Sequence, residues 1–173
     1  MRYVLQLAAI LVVASMAQAA PNLPALQGSY VLDDPSAMEN IETAVDRVAD
    51  RMGFLVAGIA RGRLMDANKP AQRIVISVAG DEVTTQLDQD QPIRTPAGAT
   101  VDWTRDNGEK VRVTTSWQGG VLKRSVASKE ATRTNSFSLA PDGDRLILGV
   151  EIVSRRLPAP VAYQLTYRRI GQQ

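Results

Sequence analysis

From residue 72 onward the apolar residues recur at every second position, the period of strands with one buried and one wet face. Lys110 to Trp117 shows it most cleanly: Val111, Val113, Thr115 and Trp117 share one face. Further strands are expected at 28–32, 73–79, 82–87, 99–104, 121–128, 132–139, 145–154 and 161–170, with a short edge strand inside the polar stretch 88–98. The turns between them have a mechanism. Gly80-Asp81, Asp106-Asn107-Gly108, Gln118-Gly119-Gly120 and Pro141-Asp142-Gly143-Asp144 all carry residues that accept tight-turn geometry. Strands at hairpin spacing make an antiparallel meander, and one open sheet of this size leaves two long edges. The expected fold is therefore mainly β: a meander closed into a barrel of about 8–10 strands, with a one- or two-helix insertion after the first strand.

The insertion has the opposite period. Ile41, Ala44, Val45, Val48 and Met52 fall on one helical stripe. Ser36 and Glu39 have capping-box spacing, and Glu39 early with Arg47 late suits the helix dipole. Gly53 stops this helix. Phe54, Leu55, Ile59 and Leu64 suggest a second one, ended by Asn68-Lys69-Pro70. The spacing of Gly58 and Gly62 points to close packing of that helix on the first helix or the barrel mouth.

The first residues read as a cleavable export signal. Met1-Arg2 is a short basic start, Val4 to Val13 is apolar except for Gln6, and Ala17-Gln18-Ala19 offers a small-x-small cleavage site. Cleavage after Ala19 leaves a lead at 20–27 and a single barrel domain at 28–173, with the helices at about 36–65. The apolar run is about half the ~20 residues a membrane span needs, so the mature chain has no span. A membrane β-barrel would carry aromatic girdles; here aromatic residues are 5% of the chain. The setting expected is periplasmic or secreted.

Composition removes several classes of function. The chain has no cysteine and no histidine. Disulfides, thiolate chemistry, His-based acid–base catalysis and the common zinc, copper and haem sites are thereby excluded. Asp106, Glu109, Asp142 and Asp144 sit in turns and lack calcium-loop spacing. No cofactor, metal or catalytic constellation is expected, and the chain reads as a non-enzyme. With 20 Lys and Arg against 18 Asp and Glu, it has no strong positive field and no nucleic-acid partner is implied.

The order of elements resembles the calycin barrels, the lipocalins and fatty-acid-binding proteins. Gly28-Ser29-Tyr30 looks like the Gly-x-Trp opening of a lipocalin first strand, with tyrosine for tryptophan. The helical pair lies where fatty-acid-binding proteins place the helix-turn-helix lid over their cavity. Tyr167-Arg168-Arg169 is similar to the Arg-x-Tyr that those proteins use to hold a ligand carboxylate, in reversed order. The resemblance implies a barrel enclosing a small hydrophobic or amphipathic ligand, with an anionic group.

On that reading the candidate ligand contacts are Arg133, Tyr167, Arg169, Trp117, Arg124 and Tyr163. Tyr163, Tyr167 and Arg169 share one face of the last strand. Arg133 shares a face with Asn135, Phe137 and Leu139, and resembles the internal arginine of fatty-acid-binding proteins; Arg124 shares one with Leu122 and Val126. Each has a plainer alternative: a surface arginine, or a tyrosine or tryptophan that is simply core. Trp103, like Trp117, is a pocket wall or a core residue. The rival reading for the whole chain is a non-catalytic envelope protein with a filled barrel core. It would meet a protein partner through the 155–160 loop or the Gly-rich second helix.

Overall fold

The computed structural model describes residues 22–171. The export signal and its Ala19 cleavage site lie outside the described residues. After a short 3-10 helix, Leu23–Leu26, comes β1 (Gly28–Leu32), then α1 (Ala37–Ala49) and α2 (Phe54–Ala67). Nine strands follow: β2 (Arg73–Ala79), β3 (Glu82–Leu87), β4 (Ile93–Pro96), β5 (Thr100–Thr104), β6 (Lys110–Gln118), β7 (Val121–Ala127), β8 (Ala131–Leu139), β9 (Arg145–Ser154) and β10 (Val161–Gly171). The chain is mainly β, with two helices inserted after the first strand, and the boundaries fall within a residue or two of those the alternation predicts.

All strand pairs are antiparallel, in one sheet of order β4-β3-β2-β1-β10-β9-β8-β7-β6-β5. The sheet curls so that its two ends, β4 and β5, approach each other, giving a nearly closed barrel. Across this seam the Thr95 hydroxyl of β4 and the Thr115 hydroxyl of β6 hydrogen-bond at 2.5 Å.

Register puts the apolar positions on one side. Leu122 pairs with Phe137, Phe137 with Leu148, and Leu148 with Leu165. These side chains join Leu26, Tyr30, Ile74 and Ile76 in one buried core. Each fully buried aliphatic or Phe side chain contributes about 1.5–3 kcal/mol relative to exposure.

The two helices are held unequally. In α1, Ile41, Ala44, Val45 and Val48 are buried against this core, as their spacing predicts. The capping box does not form: Ser36 makes no side-chain cap bond, and its N–H instead donates to Asp34 Oδ1 at 3.1 Å. Asp34 thus accepts from the N-cap N–H, the bond that Glu39 would make in a capping box. Met52 lies past the helix end. In α2 no residue is fully buried, and Phe54 is 86% exposed. A Cβ built on Gly58 or Gly62 would meet nothing within 4 Å, so the Gly-x-x-x-Gly spacing serves no close helix contact. Arg61 ties α2 to α1 through Asp46 and Asp50 instead. No helix among the described residues is long and apolar enough to cross a membrane.

Candidate ligand-binding site

The barrel interior is only partly filled. Beside the packed core lies a cavity of about 480 Å³, between the barrel walls and the C-terminal end of α2. Its apolar surface comes from Leu87, Ile93, Trp103, Val126, Leu148 and Leu165. Arg133, Asn135, Tyr163 and Tyr167 supply its polar surface, and Lys69, Asp88, Asp90, Arg105 and Asp106 also line it. A few hundred Å³ of mostly apolar wall with a few converging polar groups is the usual form of a small-molecule site. A second hollow of about 700 Å³ is an open groove lined by Glu39 and Arg47 of α1 and by Thr134, Ser136, Glu151 and Gln164 of β8 to β10. It is more open and more polar than the cavity, with Val150 and Ala162 among its apolar members.

Strand alternation aims Arg133 inward. It sits on β8 opposite Val126 and Ile152, two other inward positions. Its Nη1 donates to Asn68 Oδ1 at 3.0 Å, its Nη2 to the Tyr163 hydroxyl at 3.3 Å, and its Nε to Asn135 Oδ1 at 3.2 Å. All three acceptors are neutral, and Arg133 stands in none of the ion pairs among the described residues. The Tyr163 hydroxyl in turn donates to Asn68 Oδ1 at 3.0 Å. Burial raises the Tyr163 pKa, against the pull of the Arg133 charge. The Tyr167 hydroxyl donates to Ala71 O at 3.0 Å, and burial, reinforced by Tyr163, raises its pKa strongly. Both phenols are therefore neutral hydrogen-bond groups at physiological pH.

Arg124 also points inward, but every donor it has is used. Nε reaches Thr115 Oγ1 at 3.2 Å; Nη1 reaches Thr85 Oγ1 and, at 3.0 Å, Ile93 O; Nη2 reaches Val83 O at 2.9 Å and Thr95 Oγ1 at 3.0 Å. These are the five N–H groups of a guanidinium. Burial lowers its pKa to about 10, which leaves it charged at neutral pH. Its contacts run from β7 to β3, β4 and β6, so it fastens the seam from inside.

Arg169 does not line the cavity. Its Nη1 and Nη2 donate to Gln27 O at 2.6 Å and Ala25 O at 2.8 Å, and its guanidinium lies 5.0 Å from the centre of the Tyr30 ring. It pins the 3-10 helix to β10. Gly28 is required beside it: φ is +155°, and a Cβ would sit 3.0 Å from Arg169 Nη1. Trp117 packs on the core away from the cavity, whereas Trp103 walls it. Three of the six candidate contacts, Arg133, Tyr163 and Tyr167, thus meet at one cavity. Asn68, which bonds Arg133 and Tyr163 without lining the cavity, is the partner that sequence reading missed. It was legible only as a helix stop, a common place for asparagine, and nothing in the order of residues brings it to strands 65 and 95 residues away. No cluster of groups able to hold a metal occurs among the described residues.

No family model and no curated protein sequence matches the chain. Solved structures do. A REP1-NXSQ fatty acid transporter superposes with TM-score 0.53 at 16% identity, covering 86% of this chain and 98% of its own. Fatty-acid-binding protein 1 of Echinococcus granulosus gives 0.53 at 12%, covering 85% and 98%. A secretary abundant heat soluble protein from Ramazzottius varieornatus gives 0.56 at 11%, covering 88% and 100%. The fold is a calycin-type barrel. At these identities the likeness concerns fold alone. Within the calycin frame the helical pair falls between the first two strands, as its sequence position implied. The Gly28-Ser29-Tyr30 opening packs Tyr30 under Arg169, with the Tyr30 hydroxyl donating to Leu26 O at 2.8 Å.

Proposed function

We propose that this chain is an exported, periplasmic or secreted binding protein that encloses a small amphipathic ligand bearing an anionic headgroup. The observation that carries the reading is Arg133: a cation on the wall of a cavity more apolar than polar, with only neutral hydrogen-bond partners. Such a charge interacts far more strongly with a carboxylate or phosphate than with an amide or phenol. Arg133 and Tyr163 hold the headgroup, with Tyr167 beside them. Leu87, Val126, Leu148 and Leu165 face the apolar part. Arg124, Arg169 and Trp117 hold the barrel. The names of two of the similar structures, a fatty acid transporter and a fatty-acid-binding protein, agree with that ligand class. Export rests on the pattern of residues 1–19.

The test is to purify the protein from its native host without denaturation, extract it with organic solvent and analyse the extract by mass spectrometry. An amphipathic acid in near-stoichiometric amount is expected; an extract no different from that of an unrelated protein rejects the reading. N-terminal sequencing of the same sample reads export, with Ala20 expected as the first residue. A second reading is favoured by one observation: Phe54, Leu55, Val56 and Ile59 leave an apolar patch exposed on α2. In that reading α2 carries a contact with an envelope protein, and charged replacements at Phe54 and Leu55 abolish its capture while leaving the ligand in place.

A further inference from the structure

Asn68 is 1% exposed and stands at the end of α2, the helix with no fully buried residue. Asn68 does not itself line the cavity, but its side chain holds two polar groups that do, Arg133 and Tyr163. Oδ1 accepts from Arg133 Nη1 and from the Tyr163 hydroxyl, both at 3.0 Å, while Nδ2 donates to Leu64 O at 2.8 Å. One neutral carbonyl oxygen therefore sits where one oxygen of an anionic headgroup would receive the same two donors. The rest of α2 is held weakly. Its ties to α1 are the Arg61 pairs, whose side chains are about 40–70% exposed and hence screened, and only Leu64 and Met65 pack against the core.

From this we propose that Asn68 occupies the anion subsite of the empty protein, and that a ligand carboxylate or phosphate takes Arg133 and Tyr163 by displacing it, which undocks the C-terminal end of α2. The inference rests on the binding function proposed above. The exchange is favourable for an anion and not for a neutral ligand, because with a carboxylate or phosphate both partners are charged and the guanidinium can bond two oxygens at once, whereas in the bond to Asn68 only the donor is charged. An ester, alcohol or hydrocarbon offers Arg133 nothing better than Asn68 already does. Asn68 is thus a specificity device: the cavity answers only to ligands able to evict it. It is also a reporter, because the displaced amide lies on a helix and carries that helix with it. The ligand shifts the docked–undocked equilibrium by the difference in its affinity for the two states.

The mature chain is titrated with cis-parinaric acid by fluorescence, as wild type, Asn68→Ala and Asn68→Asp, with hydrogen exchange followed across residues 54–67. Both variants lose the bond to Leu64, so any cost to the helix end is shared; they differ in what they offer Arg133. The alanine variant is expected to bind roughly tenfold tighter than wild type, and the aspartate variant, carrying its own carboxylate, roughly tenfold weaker. In wild type, bound parinarate is expected to speed exchange across α2; in Asn68→Ala exchange is fast from the outset. Equal weakening in both variants, or parinarate bound to wild type with exchange in α2 unchanged, overturns the proposal. Binding by Asn68→Ala but not by wild type supports it. Fast α2 exchange in Asn68→Ala with no binding by any form leaves the latch standing and rejects the ligand; no binding with unchanged exchange rejects both.

Discussion

Arg124 and Arg133 are both inward-facing arginines without an acidic partner, and their surroundings separate their roles. Around Arg124 two carbonyls and three hydroxyls from three strands consume every donor. Replacing it by leucine leaves Val83 O and Ile93 O buried without their donors. Arg124→Leu is expected to lose about 3 kcal/mol or more in urea unfolding, with Arg124→Lys intermediate because three donors cannot serve five acceptors. A leucine variant as stable as wild type would remove Arg124 from the account of the seam. Arg133 has only neutral side-chain partners, one of them on a helix end, and is therefore the one of the two to which the proposal assigns the ligand. The alternation of Leu122, Arg124 and Val126 placed Arg124 on a face with two apolar residues but left an inward and a surface arginine both open. Its partners were not legible, since Ile93 and Val83 lie 31 and 41 residues away and are brought near only when the sheet curls.

At the scale of elements, the strands and both helices were legible, and the packing of α2 was not. Strand limits follow from alternation that one buried face enforces, and turns such as Asp106-Asn107-Gly108 end in a glycine at φ +81°, which a side chain rarely adopts. The apolar residues of α2 suggested a buried face; the structure leaves Phe54, Leu55, Val56 and Ile59 in solvent. Their exposure predicts that Phe54→Ser with Leu55→Ser changes stability by no more than about 0.5 kcal/mol. By contrast, Ile41→Ala in α1 opens a core cavity and costs about 2–5 kcal/mol. Chemical unfolding of both variants checks this, and a loss from the α2 pair as large as that from Ile41→Ala would mean that α2 packs on something.

For the whole molecule, a barrel partly filled by core and partly open explains how the chain can be stable without disulfides and still have room for a guest. Stability has a pH signature. Burial raises the pKa of Tyr30, Tyr163 and Tyr167, so the unfolded chain releases these phenolic protons near the ordinary value of about 10 while the folded chain retains them. Above about pH 10 the unfolded state binds fewer of these protons, and stability falls as pH rises. Arg124, lowered to about 10, contributes in the opposite sense, one group against three. Unfolding midpoints across about pH 8 to 11 should fall steadily at the alkaline end, with tyrosinate absorbance appearing only as the protein unfolds. A flat profile would mean that the three phenols are wetter than their burial implies. The central claim, an anion held by Arg133 inside the barrel, is tested most directly by titrating wild type and Arg133→Leu with cis-parinaric acid and with its methyl ester. The account predicts that wild type binds the acid at least tenfold more tightly than the ester, and that the leucine variant removes this preference while still folding. Equal affinity of wild type for acid and ester, or an acid preference that survives in Arg133→Leu, would contradict it.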